Sequence, residues 1–207
     1  MKLRKKLCAC FAAAFILISS CLCGTASAAN VVTHTVVKGD SLWRIAVKYQ
    51  VGLSEIIGAN PQFTNPDLIY PGQKVYVPLL DSSITSYEQQ VIDLVNDIRV
   101  KNGLNTLKAN WELSRVARYK SQDMHDNKYF SHTSPVYGSP FEMIKNFGIS
   151  YRTAGENIAQ GYKTPAAVVD GWMNSSGHRA NILNAGYTQI GVGYVANGHY
   201  WTQMFIG

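Results

Sequence analysis

Cysteine is missing from most of this chain. All four cysteines of the 207-residue sequence lie near its start, at Cys8, Cys10, Cys21 and Cys23. Without cysteines further along, the body of the chain has no disulfide framework. The sequence also lacks a Gly-x-Ser-x-Gly elbow, a glycine-rich phosphate loop and a cysteine–histidine pair. Mechanisms that use a serine or cysteine nucleophile therefore have little support.

The first 28 residues have the three parts of a secretory signal peptide. A basic start precedes an apolar run over residues 11–18, and small residues at 26–28 form a cleavage site. The apolar run is too short to span a bilayer, so no transmembrane segment is expected after cleavage. Two alternatives stay open, an uncleaved anchor and lipidation of Cys21, because the string ending at Cys21 resembles a lipoprotein cleavage box. We favour cleavage after Ala28.

Basic charge is also scarce once this leader is removed. The leader carries four of the 19 lysines and arginines and no acidic residue, so 15 basic residues face 13 acidic ones and the net charge falls to +2. No stripe of lysine and arginine remains, and nucleic acid is excluded as an expected partner. A weakly basic exported protein could still be attracted to an anionic cell wall.

Residues 34–78 are expected to form a small unit with the order strand, helix, helix, strand. Alternating residues from His34 predict the first strand, and Ser41 can cap a helix that runs to Tyr49. Ser54 can cap a second helix, which Pro61 stops. Residues 74–78 predict a second strand that pairs antiparallel with the first.

Three strings in this unit resemble the lysin motif (LysM): residues 39–43, 45–46 and 65–73. The resemblance implies a domain over residues 32–79 that binds N-acetylglucosamine polymers, in peptidoglycan or chitin, without hydrolysing them. It places the sugar groove between two turns, formed by Gly39, Asp40, Ser41, Leu42 and by Asn65, Pro66, Asp67, Leu68, Ile69. Free backbone amides and carbonyls in turns suit such a task. The alternative is that these turns only fold the domain.

Residues 80–86 are polar and without apolar period, and predict a linker. Beyond it, Ser86 and Gln89 match a capping box before a first helix, and a second helix is expected from Trp111 to Asn127. Asn197 and Gly198 between two apolar runs predict a late hairpin. Helices followed by a hairpin favour an α-β-α sandwich, and the whole chain is expected to be of the α+β class.

Two histidines and two glutamates carry the chemistry of the second module. The strings 129–135, 155–159 and 176–183 resemble, in this order, the CAP superfamily of cysteine-rich secretory, antigen 5 and pathogenesis-related 1 proteins, over residues 87–207. The resemblance implies a cleft tetrad. His132 and His178 would be ligands of a divalent metal such as zinc, and Glu142 and Glu156 would be hydrogen-bond partners or catalytic bases. Each of the four also has a structural interpretation, such as capping a helix or organising a loop.

Three functions are consistent with this sequence. The first is a secreted protein of the cell wall or spore envelope that binds peptidoglycan through LysM, with a CAP cleft that takes a metal or a small apolar, lipid or peptide ligand. The second is a metal-dependent hydrolase of wall peptide or protein. The third is a structural protein of spore coat or cortex assembly. The sequence does not decide whether the protein is an enzyme, since a fold does not confer an activity.

Overall fold

The computed structural model describes residues 30–207, so the predicted signal peptide and its cysteines lie outside the described residues. The first unit consists of strands β1 and β2 and helices α1 and α2, over Asn30–Thr35, Lys74–Leu79, Leu42–Tyr49 and Leu53–Ala59. The two strands pair antiparallel, with His34 opposite Val75. This is the strand, helix, helix, strand order that the sequence predicts.

The core of this unit is small, and the buried side chain of Asn60 completes it. Its apolar part contains Leu42, Ile45, Ile56, Val75 and Val77. The Asn60 side chain donates to the carbonyls of Ile56 and Tyr76, both at 2.7 Å, and accepts from the Tyr76 amide at 2.8 Å. Asn60 therefore ties the end of α2 to β2 and satisfies backbone groups that the short helix leaves open.

The second unit is a four-stranded sheet with helices on both faces. Its elements, in chain order, are α3 (Ser82–Lys101), β3 (Lys108–Ala109), α4 (Trp111–Asp126), α5 (Pro140–Asn146), β4 (Ala154–Gln160), α6 (Pro165–Met173), α7 (Ser176–Ile182), β5 (Gln189–Val195) and β6 (Tyr200–Ile206). The strand order is β3-β5-β6-β4, with β3 parallel to β5 and the other pairs antiparallel. Helices α3, α6 and α7 pack on one face of the sheet, and α4 and α5 pack on the other. The expected α-β-α sandwich is confirmed.

Helix α4 lies unusually close to β5 because two glycines remove side chains from the contact. A Cβ added at Gly191 would lie 2.4 Å from the backbone of Leu113, and one at Gly193 would lie 2.1 Å from the amide of Arg118. Ser121 of α4 reinforces the contact by donating to the Gly193 carbonyl at 3.0 Å. This spacing fixes α4, which borders both the LysM unit and the histidine cleft.

The two units contact each other through α2 and α4. The guanidinium of Arg115 donates to both carboxylate oxygens of Glu55, at 2.7 and 2.9 Å, and to the Ser54 hydroxyl at 2.8 Å. The Tyr119 hydroxyl also donates to Glu55, at 3.1 Å. Both ionic side chains are partly shielded from water, with 21% of Arg115 and 29% of Glu55 exposed.

Several elements differ from the sequence prediction. Helix α2 begins at Leu53 with Gly52 as its N-cap, so Ser54 lies inside the helix and does not cap it. Helix α3 begins at Ser82, inside the stretch 80–86 predicted as a linker, because Asp81 accepts from the Ser83 amide at 2.8 Å and caps the helix five residues ahead of Ser86. Helices α5 and α7 and the short strand β3 were not predicted. Strand β4 was not predicted, since its sequence lacks alternating β-branched residues. Pairing with β6 makes it a strand. Within residues 30–207, no helix is long and apolar enough to cross a membrane.

Candidate functional site

An exposed histidine rests on a buried glutamate at the centre of the cleft. His132 lies in the loop after α4, with 54% of its side chain exposed, and its Nδ1 lies 2.7 Å from Oε1 of Glu156, whose side chain is only 1% exposed. Glu156 lies in β4, on the face that α4 covers. The hydrogen bond that His132 donates to Glu156 raises the pKa of His132, and this effect outweighs the lowering by partial burial.

A second buried charge supports the His132 loop from below. Lys120 of α4 is fully buried, and its Nζ donates to the His132 carbonyl at 2.9 Å and to the Tyr129 hydroxyl at 3.1 Å. Burial lowers the pKa of Lys120, although the charges of Glu156 and Asp123 act in the opposite direction. Asp123 also accepts from Ser134, at 2.6 Å, and from the Tyr129 hydroxyl. The loop that carries His132 is thus fixed at several points.

The second histidine reaches the cleft from the opposite face of the sheet. His178 lies in α7, and its carbonyl accepts from the Asn157 side chain at 3.1 Å. Asn181, also in α7, donates to the Glu156 carbonyl at 3.1 Å and to the Asn157 side chain at 2.8 Å. This amide network ties α7 to β4. Burial lowers the pKa of His178, and the nearby charge of His132 lowers it further. The cleft therefore contains two imidazoles whose pKa values shift in opposite directions.

Glu142 lies at the start of α5 and serves as a helix cap. Its Oε2 accepts from the amide and the hydroxyl of Ser139, both at 2.8 Å, and Ser139 accepts from the Glu142 amide at 3.2 Å. The hydrogen bonds from Ser139 lower the pKa of Glu142. Among the described contacts, none joins Glu142 to His132, Glu156 or His178. The string Ser139-Pro140-Phe141-Glu142 matches the capping-box pattern, although no helix was predicted from it.

An open groove of about 440 Å³ continues from His178 along β4. Its walls include Phe130, Gln160, Tyr162 and Trp172. Phe130 is 50% exposed and Tyr162 is 39% exposed. Trp172 is held by a hydrogen bond from its indole nitrogen to the Ile158 carbonyl at 3.2 Å. Sequence reasoning did not assign Phe130 and Tyr162 to a site, because exposure of a large aromatic residue is not visible in a sequence.

The cleft supplies few ligands for a metal ion. Within residues 30–207, no group of three or more His, Cys, Asp or Glu side chains is arranged to hold one. Two imidazoles are the nitrogen donors that the cleft offers, and His132 would bind an ion through Nε2 while its Nδ1–H is donated to Glu156. Oε2 of Glu156 is buried and has no hydrogen-bond partner among the described residues. A bound ion would supply Lewis acidity, and the chain's own part would be to position it.

In the LysM unit, some residues of the two turns assigned to sugar binding make contacts within the domain, and others are exposed. Asp40 accepts from His34 at 2.8 Å and from the Val37 amide at 2.9 Å, Ser41 caps α1, and Leu42 is buried in the core. In the other turn, Asn65 accepts from the Asp67 amide at 3.1 Å. Leu68 is 51% exposed beside it. The exposed surface therefore comes chiefly from Gly39 and from the turn at residues 65–68.

Comparison with family models agrees with this architecture. The model of the cysteine-rich secretory protein (CAP) family matches residues 92–205, more than half of the chain. The chain belongs to the CAP family. The LysM domain model matches residues 34–78, so a LysM domain precedes the CAP domain.

Relatives of known sequence match one domain at a time. The uncharacterized protein YkwD of Bacillus subtilis is 61% identical over 126 residues, which are 61% of this chain and 49% of that protein. SpoIVD-associated factor A of the same species is 58% identical over 45 residues, 22% of this chain and 12% of that protein. An extracellular protein containing an SCP domain from Bacillus anthracis has a similar structure, with a TM-score of 0.58 and 38% identity over 66% of this chain and 47% of that one. The chain thus spans about half the length, or less, of these relatives.

Proposed function

We propose that this protein is exported and held on peptidoglycan by its LysM domain, where the CAP domain presents a ligand-binding cleft. The family match over residues 34–78 supports binding of N-acetylglucosamine polymers. The exposed turn at residues 65–68, next to Gly39, offers backbone groups and an apolar side chain to a sugar.

The cleft function rests on one observation, the exposed imidazole of His132 on the buried carboxylate of Glu156. A buried carboxylate is costly unless its charge is balanced, and here it fixes one histidine and raises the pKa of that histidine. His178, whose pKa is lowered, offers a lone pair instead. The cleft therefore presents a donor and an acceptor to a ligand that lies along the groove from Phe130 to Trp172, or two lone pairs to an ion when both histidines are neutral.

Hydrolysis is the second candidate function, and the exposed imidazole of His132 favours it. Oε2 of Glu156 is buried, so this carboxylate does not take a proton directly from water in the cleft. The neutral imidazole of His132, which Glu156 orients through Nδ1, would accept that proton at Nε2, as a general base requires.

A location in the spore envelope is the more specific form of the wall assignment. It is motivated by the likeness of the LysM domain to that of SpoIVD-associated factor A. The same domain would hold the chain on vegetative or spore peptidoglycan, because both would be recognised through N-acetylglucosamine.

Sedimentation with peptidoglycan tests the LysM part of this proposal. The chain without its first 28 residues is mixed with purified, protein-free peptidoglycan and sedimented, for the wild type and for Asp67→Ala with Leu68→Ala. We expect the wild type to sediment and the double variant to stay largely in solution. Because Leu68 is half exposed, folding should be unaffected, and circular dichroism checks this. Equal sedimentation of both proteins would contradict sugar binding at this turn.

A further inference from the structure

A cleft between the LysM and CAP domains combines aromatic residues from both. It lies where α1 and α2 meet the start of α4 and has a volume of about 130 Å³. Trp43 and Leu53 form the LysM side, and Trp111 and Phe147 form the CAP side. This cleft is separate from the groove at His178, which lies along β4.

The LysM side of this cleft exposes three neighbouring apolar side chains. Trp43 is 61% exposed, and Val47 and Leu53 are 38% and 37% exposed. Single exposed apolar residues are ordinary, but a contiguous group around a tryptophan is typical of a binding surface. None of the three is needed for the LysM core, which is formed by the opposite faces of the helices.

Polar groups in the cleft complement the aromatic ones. Glu112 is exposed at the first turn of α4 and Arg115 follows one turn later, both lining the cleft. The guanidinium of Arg115 lies 5.2 Å from the Phe147 ring centre and is bonded to Glu55, so its orientation is fixed. Aromatic rings beside fixed hydrogen-bonding groups suit a sugar, whose ring has an apolar face and a rim of hydroxyls.

One wall of the cleft begins directly after the turn assigned to sugar binding. Trp43 follows Leu42, the last residue of that turn, and occupies the first exposed position of α1. The Arg115–Glu55 pair holds the start of α4 against the start of α2, whose Leu53 also lines the cleft. A linear polymer that lies in the turn and continues along α1 would then meet Trp111.

We propose that this cleft is an additional subsite for the N-acetylglucosamine polymer, so that one glycan chain is bound by both domains. The proposal rests on the proposed function of the LysM domain and extends it. Trp43 and Trp111 would stack on sugar rings, and Arg115 and Glu112 would bind their hydroxyl and acetamido groups. The CAP domain would then contribute to recognition of long glycans and not of short ones.

Calorimetric titration with the trimer and the hexamer of β-linked N-acetylglucosamine tests this proposal. We expect Trp111→Ala to weaken hexamer binding about 5-fold and to leave trimer binding unchanged, as loss of one stacking contact predicts. Trp111→Phe should restore most of the loss. Phe141→Ala is the matched control, because Phe141 is an exposed aromatic residue of the CAP domain outside the cleft. It should bind both sugars like the wild type.

A second variant keeps the proposal testable if Trp111→Ala does not fold. Trp43→Ala removes the exposed tryptophan on the LysM side of the cleft and should also weaken hexamer binding. Normal trimer binding with unchanged hexamer affinity in both tryptophan variants would overturn the subsite alone. Absence of binding of either sugar by the wild type would overturn LysM sugar binding, and the subsite with it. Binding of a peptide-bearing muropeptide that depends on Trp111, without such dependence for the hexamer, would overturn the glycan assignment.

Discussion

His132 and Glu156 form an ion pair in which the histidine faces water and the carboxylate is buried. Their contacting atoms are 2.7 Å apart, and 54% of the His132 side chain is exposed against 1% for Glu156. Buried groups therefore hold the exposed imidazole in place. The strand fixes the carboxylate, the carboxylate fixes the imidazole, and Lys120 fixes the backbone of His132 from beneath.

The first prediction concerns the two imidazole pKa values. NMR titration should give His132 a pKa above 6.5 and His178 a pKa below it, because Glu156 stabilises the charged form of the first and burial disfavours that of the second. Glu156→Gln should lower the pKa of His132 and raise that of His178, since His132 would then carry less charge near neutral pH. Equal pKa values for His132 in both proteins would contradict the pairing.

The second prediction concerns metal binding. If His132 and His178 share a zinc ion, both must be neutral, so the raised pKa of His132 sets the limit. Zinc affinity should be present at higher pH and be lost as the pH falls through a value above 6.5. His132→Ala and His178→Ala should each abolish zinc binding. His178→Ala should change the melting temperature little, whereas His132→Ala should lower it modestly, because it leaves the buried carboxylate of Glu156 without its partner. Calorimetry with zinc at two pH values measures this. Unchanged affinity in both variants would leave the pair as a hydrogen-bonded scaffold.

The third prediction concerns the contact between the domains. Burial alone would raise the pKa of Glu55, but hydrogen bonds from Arg115 and Ser54 keep it below its usual value. The pair should therefore stabilise the chain at neutral pH, and this stabilisation should be lost as the pH falls through the lowered pKa. A double-mutant cycle of Glu55→Gln and Arg115→Met should give a coupling free energy of about 0.5–1 kcal/mol, since the pair is partly exposed. Urea unfolding at pH 7 and pH 3 measures it, and an equal coupling at both would contradict the assignment.

The fourth prediction concerns the packing of α4 on β5. Gly193→Ala would place a methyl group 2.1 Å from the α4 backbone, which cannot move without separating the layers. We expect destabilisation of about 2–3 kcal/mol, or roughly 5–10 °C in melting temperature. Gly58→Ala is the matched control, because nothing lies within 4 Å of the added atom and the residue is in α2. It should be neutral or stabilising by up to about 1 kcal/mol. Equal melting temperatures for the two variants would contradict the close approach.

Local sequence signals predicted much of the architecture. Ser41 caps α1, and the Asn197-Gly198 turn joins β5 to β6, as expected. Each of these signals depends on residues within a few positions of one another. Strand β4 was missed because its formation depends on pairing with β6, over 40 residues away in sequence.

The residues of the candidate site could be predicted only from motifs that resemble those of a known family. His132, Glu156 and His178 come from a loop, a strand and a helix, and only the resemblance predicted that they would meet. Their assignment to ligand or metal binding stays a prediction. Glu142 forms a local capping box with Ser139, and its assignment to the cleft also stays a prediction. The Arg115–Glu55 contact, 60 positions apart, has no signal in a single sequence.

Helix α4 connects the LysM domain to the histidine cleft. Arg115 and Lys120 lie five positions apart on this helix, which is about 8 Å along its axis. Arg115 contacts the LysM domain, and Lys120 donates to the backbone of His132. If the LysM domain binds wall glycan as proposed, the molecule would sample only its immediate surroundings, and the material within reach of the histidine cleft would be that same wall. Diffusing solutes would have to come to it, whereas neighbouring wall polymer would be present at high local concentration.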